Sequence, residues 1–173
     1  MHRFRVLAPL AALLAAAAGC GGDSPTAPSP GSIVFTAQLS AQNEVPPIGN
    51  AESGALGSVT IMMDVQRGAS DAITSATASF SASLLGFPPG STAILAHIHE
   101  GGSGVAGGVR VNTGLTPATG ISMPNGSGVI SVAGVNVPVN VANAMVANPA
   151  GFYFNVHTPV NPGGAVRGQL VRQ

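Results

Sequence analysis

At 173 residues the chain has room for one domain with a real core and not comfortably for two. Six arginines balance six acidic residues, no lysine is present and the sequence pI is about 6.9, so no basic stripe exists to follow a phosphate backbone and nucleic acid is excluded as the expected partner. Six Phe, one Tyr and no Trp leave little to stack on bases or sugar rings, while 24 Gly and 14 Pro among abundant Val, Ser, Thr and Ala favour short strands joined by turns.

The opening "MHRFRVLAPLAALLAAAAGCGG" carries Arg3 and Arg5, then an apolar run, then small residues, as a secretory signal does. The run is too short to span a bilayer as a helix, which takes about 20 residues. It ends at the single cysteine of the chain, Cys20, after Ala17, Ala18 and Gly19. That ending resembles the lipobox of bacterial lipoproteins, with Ala17 where Leu is commoner, and the resemblance implies a signal peptide over 1–19 and a lipid on Cys20. An ordinary cleaved signal with an incidental cysteine is the alternative. A lone thiol in an exported chain calls for a use, and lipidation supplies one. Acyl chains would anchor the protein to a membrane, each buried methylene contributing about 0.8 kcal/mol. The expected location is therefore that of an exported, membrane-anchored lipoprotein: outer membrane or periplasm in a diderm host, cell surface in a monoderm. Gly21, rather than Asp, after Cys20 fits outer-membrane delivery by the lipoprotein sorting pattern.

Residues 20–32 continue as "CGGDSPTAPSPGS", which cannot bury apolar surface and reads as a disordered tether. The folded domain is expected over 33–173.

Alternation then marks the strands. "IVFTAQLS" sets Ile33, Phe35, Ala37 and Leu39 on one face; "SVTIMMDV" does the same with Val59, Ile61, Met63 and Val65; "ASFSASL" sets Ala78, Phe80, Ala82 and Leu84 against three serines. These are half-buried antiparallel strands with one wet face. Further runs at 92–99, 128–136, 139–146, 151–157 and 164–171 are separated by "FPPGS", "MPNGSG", "ANPAG" and "NPGG", which are turn signals. The pattern predicts an all-β fold, an antiparallel β-sandwich or Greek-key barrel of about eight strands.

In "ILAHIHEGGSGVAGG" the same parity sets Ile94, Ala96 and Ile98 on one face and Leu95, His97 and His99 on the other. In "GFYFNVHT" the apolar set is Phe152, Phe154 and Val156, leaving Tyr153, Asn155 and His157 opposite. His2 belongs to the signal, so the three remaining histidines are all expected at strand ends on polar faces, each just before a Gly- or Pro-rich turn.

Four segments, in this order, carry a resemblance to the CHRD domain: "FTAQLSAQNEVPP" (35–47), "TAILAHIHEGGSG" (92–104), "FYFNVHTPVNPGG" (152–164) and "VRGQL" (166–170). That module is named for its repeats in chordin and is found singly in bacterial exported proteins. Ala165 stands where the family commonly has an acidic residue, and Phe154 where it has an aliphatic one. The resemblance implies a β-sandwich outside the cytoplasm and assigns no biochemical role.

Residues at i and i+2 on a strand point the same way with Cα atoms ~6 to 7 Å apart, so His97 and His99 can reach one ion and His157 from a neighbouring strand can complete a three-nitrogen site for Cu or Zn. Glu44, Glu100 and Asn155 are candidates to hold the outer N–H groups or to complete the site. The competing role is structural, with the imidazoles bonding turn backbones, Glu44 or Thr158 and fastening two strand ends. Arg167 needs an acceptor, and Glu44 is the expected one. No catalytic constellation is present: the glycines at 101–108 lack the pattern of a phosphate loop, and Asp64 and Asp71 lie near no histidine in sequence, so the chain is not expected to be an enzyme. The expected function is that of a tethered binding or structural module of the cell envelope, with an envelope protein as partner, or of a Cu or Zn binding protein.

Overall fold

The computed structural model describes residues 31–173; the expected signal, Cys20 and the tether up to residue 30 lie outside them. Three long strands come first, β1 (Ser32–Ser40), β2 (Leu56–Arg67) and β3 (Ile73–Leu85), each antiparallel to the next. Their register sets Phe35 opposite Ile61 and Ile61 opposite Phe80, a cross-strand row in which no residue is more than 2% exposed. Alternation thus buries one face of all three strands, and removing that apolar surface from water drives the pairing.

Short strands follow: β4 (Ser91–Ala93), β5 (Leu95–Glu100), β6 (Val109–Asn112), β7 (Ile121–Met123) and β8 (Gly128–Asn136). Helix α1 (Val139–Ala147) precedes β9 (Phe152–His157), β10 (Val166–Gln169) and β11 (Val171–Arg172). The main sheet runs β6-β5-β9-β10-β1-β2-β3-β8, with β11 also on β1, and β4 pairs with β7 apart from it. Three strands separate β9 from β3 in that order, yet the rings of Phe154 and Phe80 stack at 5.9 Å. The sheet therefore curls over itself into an antiparallel, barrel-like β-sandwich around one apolar interior.

Two expectations need correction. The run at 139–146 is the helix α1, not a strand. Val139, Asn140 and Val141 alternate, but Val141, Ala142 and Met145 recur at helical spacing and are the residues buried against the core, and Pro138 opens the helix where its missing N–H costs nothing. The run at 92–99 is also two strands, broken at Ile94, whose N–H leaves the β4–β7 pair and donates to His157 O at 2.9 Å.

Candidate metal centre

β5 and β9 are antiparallel neighbours, with Leu95 opposite His157, His97 opposite Asn155 and His99 opposite Tyr153. One face of the pair sends Ala96, Ile98, Phe152, Phe154 and Val156 into the core. The other carries His97, His99, Tyr153, Asn155 and His157, as the parity requires. That second face is not the wet surface expected of it. The three histidines are only 7%, 8% and 5% exposed, because the turns after β5 and β9 fold back over their own strands and are fastened there. Alternation reports which face a residue is on, while only the tertiary fold decides whether a loop covers it.

The three imidazoles converge. One nitrogen from each lies within 4.8 Å of the others, and the ring centroids are 5.0 to 5.9 Å apart. Backbone acceptors fix two of the tautomers. His99 Nδ1 lies 2.9 Å from Gly107 O and His157 Nδ1 lies 3.0 Å from Pro162 O. A carbonyl only accepts, so both Nδ1 atoms carry the proton and both Nε2 atoms keep a bare lone pair turned inward. His157 Nε2 faces His97 Nδ1 at 3.2 Å, and His99 Nε2 is buried with no partner among the described residues. An ion with ~2 Å bonds holds neighbouring nitrogens roughly 3.3 Å apart, so one pair is already at coordination spacing.

These rings are neutral at physiological pH. Burial, with the neighbouring His157 and His99 adding to it, lowers the His97 pKa from 6.5 to about 4, and burial also lowers those of His99 and His157. A metal ligand must offer a lone pair, and here no proton has to be displaced by acid–base work against water.

The residues around the rings hold the two carbonyls. Arg167, 2% exposed, donates to Val105 O at 3.0 Å and to Gly102 O at 3.2 Å, pinning the loop that supplies Gly107 O. Its guanidinium lies 3.5 Å over the Tyr153 ring, and the Tyr153 hydroxyl accepts from Gly107 N at 3.0 Å. This corrects the expected partner of Arg167: backbone carbonyls, Gln169 and an aromatic face surround it, and the ion pairs among the described residues are Arg67–Asp71 and Arg110–Glu100. Glu44 acts on Arg167 only through space and hydrogen-bonds Asn155. Glu100 is half exposed, faces Arg110 at 2.7 Å and takes no part in the site. Nor do Glu44 and Thr158 bond the imidazoles; Thr158 is engaged elsewhere. Glu52, 1% exposed and unsuspected from sequence, accepts from Thr158 Oγ1 at 2.7 Å and Asn161 Nδ2 at 2.6 Å, bracing the turn that presents Pro162 O. Two glycines are steric necessities. A Cβ on Gly107 would run into the Glu100 carbonyl, and one on Gly164, at φ +140°, would meet Asn155 Nδ2 at 2.6 Å and Glu44 Oε2 at 2.7 Å.

A curled antiparallel sheet with a buried polar layer of three histidines, Asn155 and Arg167 on its second face defines the class of module. The chain matches the CHRD domain over residues 35–170 and belongs to that family. No curated protein and no solved structure matches it.

Proposed function

We propose that this CHRD domain is an exported, membrane-tethered module that holds one copper or zinc ion between His97, His99 and His157. The observation that carries the reading is the pair of backbone carbonyls, Gly107 O and Pro162 O, that accept from the Nδ1–H groups of His99 and His157 and so leave both Nε2 lone pairs bare, that of His157 at 3.2 Å from His97 Nδ1 and that of His99 buried without a partner among the described residues. Metal-bound histidine commonly donates its second N–H to such an acceptor. Moving the His97 proton from Nδ1 to Nε2 turns a third lone pair to the same point. Export and tethering rest on the signal-like residues 1–19 and on Cys20.

The test is elemental analysis of the full chain, purified in detergent, after exposure to Cu and Zn and removal of excess ion. About one retained ion per chain is expected, with most of it lost in His97→Ala and His157→Ala while circular dichroism is unchanged. The second reading has its own support, since bonds from His99 and His157 to turn carbonyls are what strand fasteners would make. It predicts no retained ion in the parent and a lowered melting temperature in both variants. For the tether, Cys20→Ser should move the protein from the membrane fraction to the soluble fraction.

A further inference from the structure

Resting on that three-histidine reading, we infer that the site selects a monovalent ion, Cu(I), over Zn(II) and Cu(II). The donors are three neutral imidazole nitrogens, and the ligating cluster contains no carboxylate or thiolate. A bound Zn(II) keeps its full double charge; a bound Cu(I) keeps one. The setting is dry: all three histidines are more than nine-tenths buried, and the cavities of about 530 and 310 Å³ nearby include none of them. The cost of taking an ion out of water grows with the square of its charge, so the divalent ion pays roughly fourfold more there.

A fixed cation adds to this. Tyr153 lies on the strand between β5 and β10. Its ring stacks on His99 at 4.9 Å and 10°, while the Arg167 guanidinium covers it at 3.5 Å. Arg167 reaches it from β10 and His99 from β5, so the two groups lie on opposite faces of one ring. Arg167 takes part in no ion pair among the described residues, and Glu44 meets its charge only through space. Its positive charge therefore stands one aromatic ring from the ligand nitrogens, and it repels a divalent ion twice as strongly as a monovalent one. Zinc also wants a fourth ligand, which the cluster does not supply, whereas three imidazoles satisfy a low-coordinate soft ion.

The experiment compares affinities on the full chain in detergent: Cu(I) under anaerobic reducing conditions by competition with bicinchoninate, and Zn(II) and Cu(II) by competition with chromogenic chelators. The expected result is one Cu(I) per chain, bound at least about 100-fold tighter than Zn(II). Arg167→Met should narrow that ratio about tenfold, and Arg167→Lys, which keeps the charge, should hold it near the parent value. Zn(II) or Cu(II) bound as tightly as Cu(I), or an unmoved ratio in a folded Arg167→Met protein, overturns the inference and leaves the three-histidine site standing. Retention of no ion of any kind overturns both. Should Arg167→Met lose its fold, the ratio in the parent decides.

Discussion

Glu44 is held at a pKa of about 7 by burial, against the lowering influence of Arg167 and of its hydrogen bond with Asn155. In the unfolded chain it titrates near 4.5, so between those values the folded protein binds the extra proton. Its contribution to stability is complete below pH 4.5 and is lost as pH rises through 7. The histidines run the other way. Their folded pKa values lie below 6.5, with His97 at about 4, so their contribution is present above pH 6.5 and is lost as pH falls toward 4. Glu44→Gln keeps an acceptor for Asn155 and removes one of these opposed titrations. Its melting temperature should match the parent at pH 4 and exceed it at pH 8, by on the order of 2 kcal/mol in stability. Equal curves at pH 8 would show that Glu44 carries no such strain. Residue by residue, the three histidines and Arg167 were legible in the sequence because strand parity and short motifs single them out. Glu52 was not, since its partners Thr158 and Asn161 lie 106 and 109 residues away and only the fold joins them. A faint local signal existed in Asn50, whose side chain accepts from Glu52 N at 3.0 Å and starts a turn.

The loop over β5 is the element on which the site depends most. It must bring Gly107 O within reach of His99 while Gly107 itself passes against the Glu100 carbonyl, a path open only to glycine. Gly107→Ala is expected to displace the loop, lower stability by roughly 1–3 kcal/mol and cut ion retention. Gly108→Ala, next in sequence and with open space for a methyl, should do neither. Chemical denaturation and elemental analysis of the two variants side by side would check this; a silent Gly107→Ala would mean that the carbonyl does not set the His99 tautomer. The long strands β1, β2 and β3 were readable because one apolar face alternates with a face made mostly of Ser, Thr and Gln. β6, β7 and the helix α1 were not. The first two span four and three residues, too few to show a period, and α1 begins with two valines at a strand-like spacing.

Across the whole molecule, stability rests on the sheet meeting itself. Phe154 and Phe80 are 0% and 2% exposed and stack from opposite walls of the interior. Phe154→Ala should cost roughly 3–5 kcal/mol, read as a shifted urea midpoint, because it deletes a ring that bridges the two walls. A loss under about 1 kcal/mol would mean that the interior closes without this contact. The all-β class followed from composition and alternation, whereas the curling of one sheet over itself is a property of strand order, which no local pattern encodes. That order also dictates when the site comes into being. β1, made first, sits between β2 and the two strands from the far end of the sequence, β10 and β11. Contacts of such long sequence separation form slowly, since the loop between them must be closed before they stabilise anything. Tyr153 and His157 arrive with β9, just before those late strands, and Arg167 with β10. A chain that has formed only β1 to β8 offers two imidazoles on a bare edge, and the third nitrogen, the bracing aromatic ring and the cation come together in the final step. An ion held by all three histidines therefore reports that the chain has finished folding.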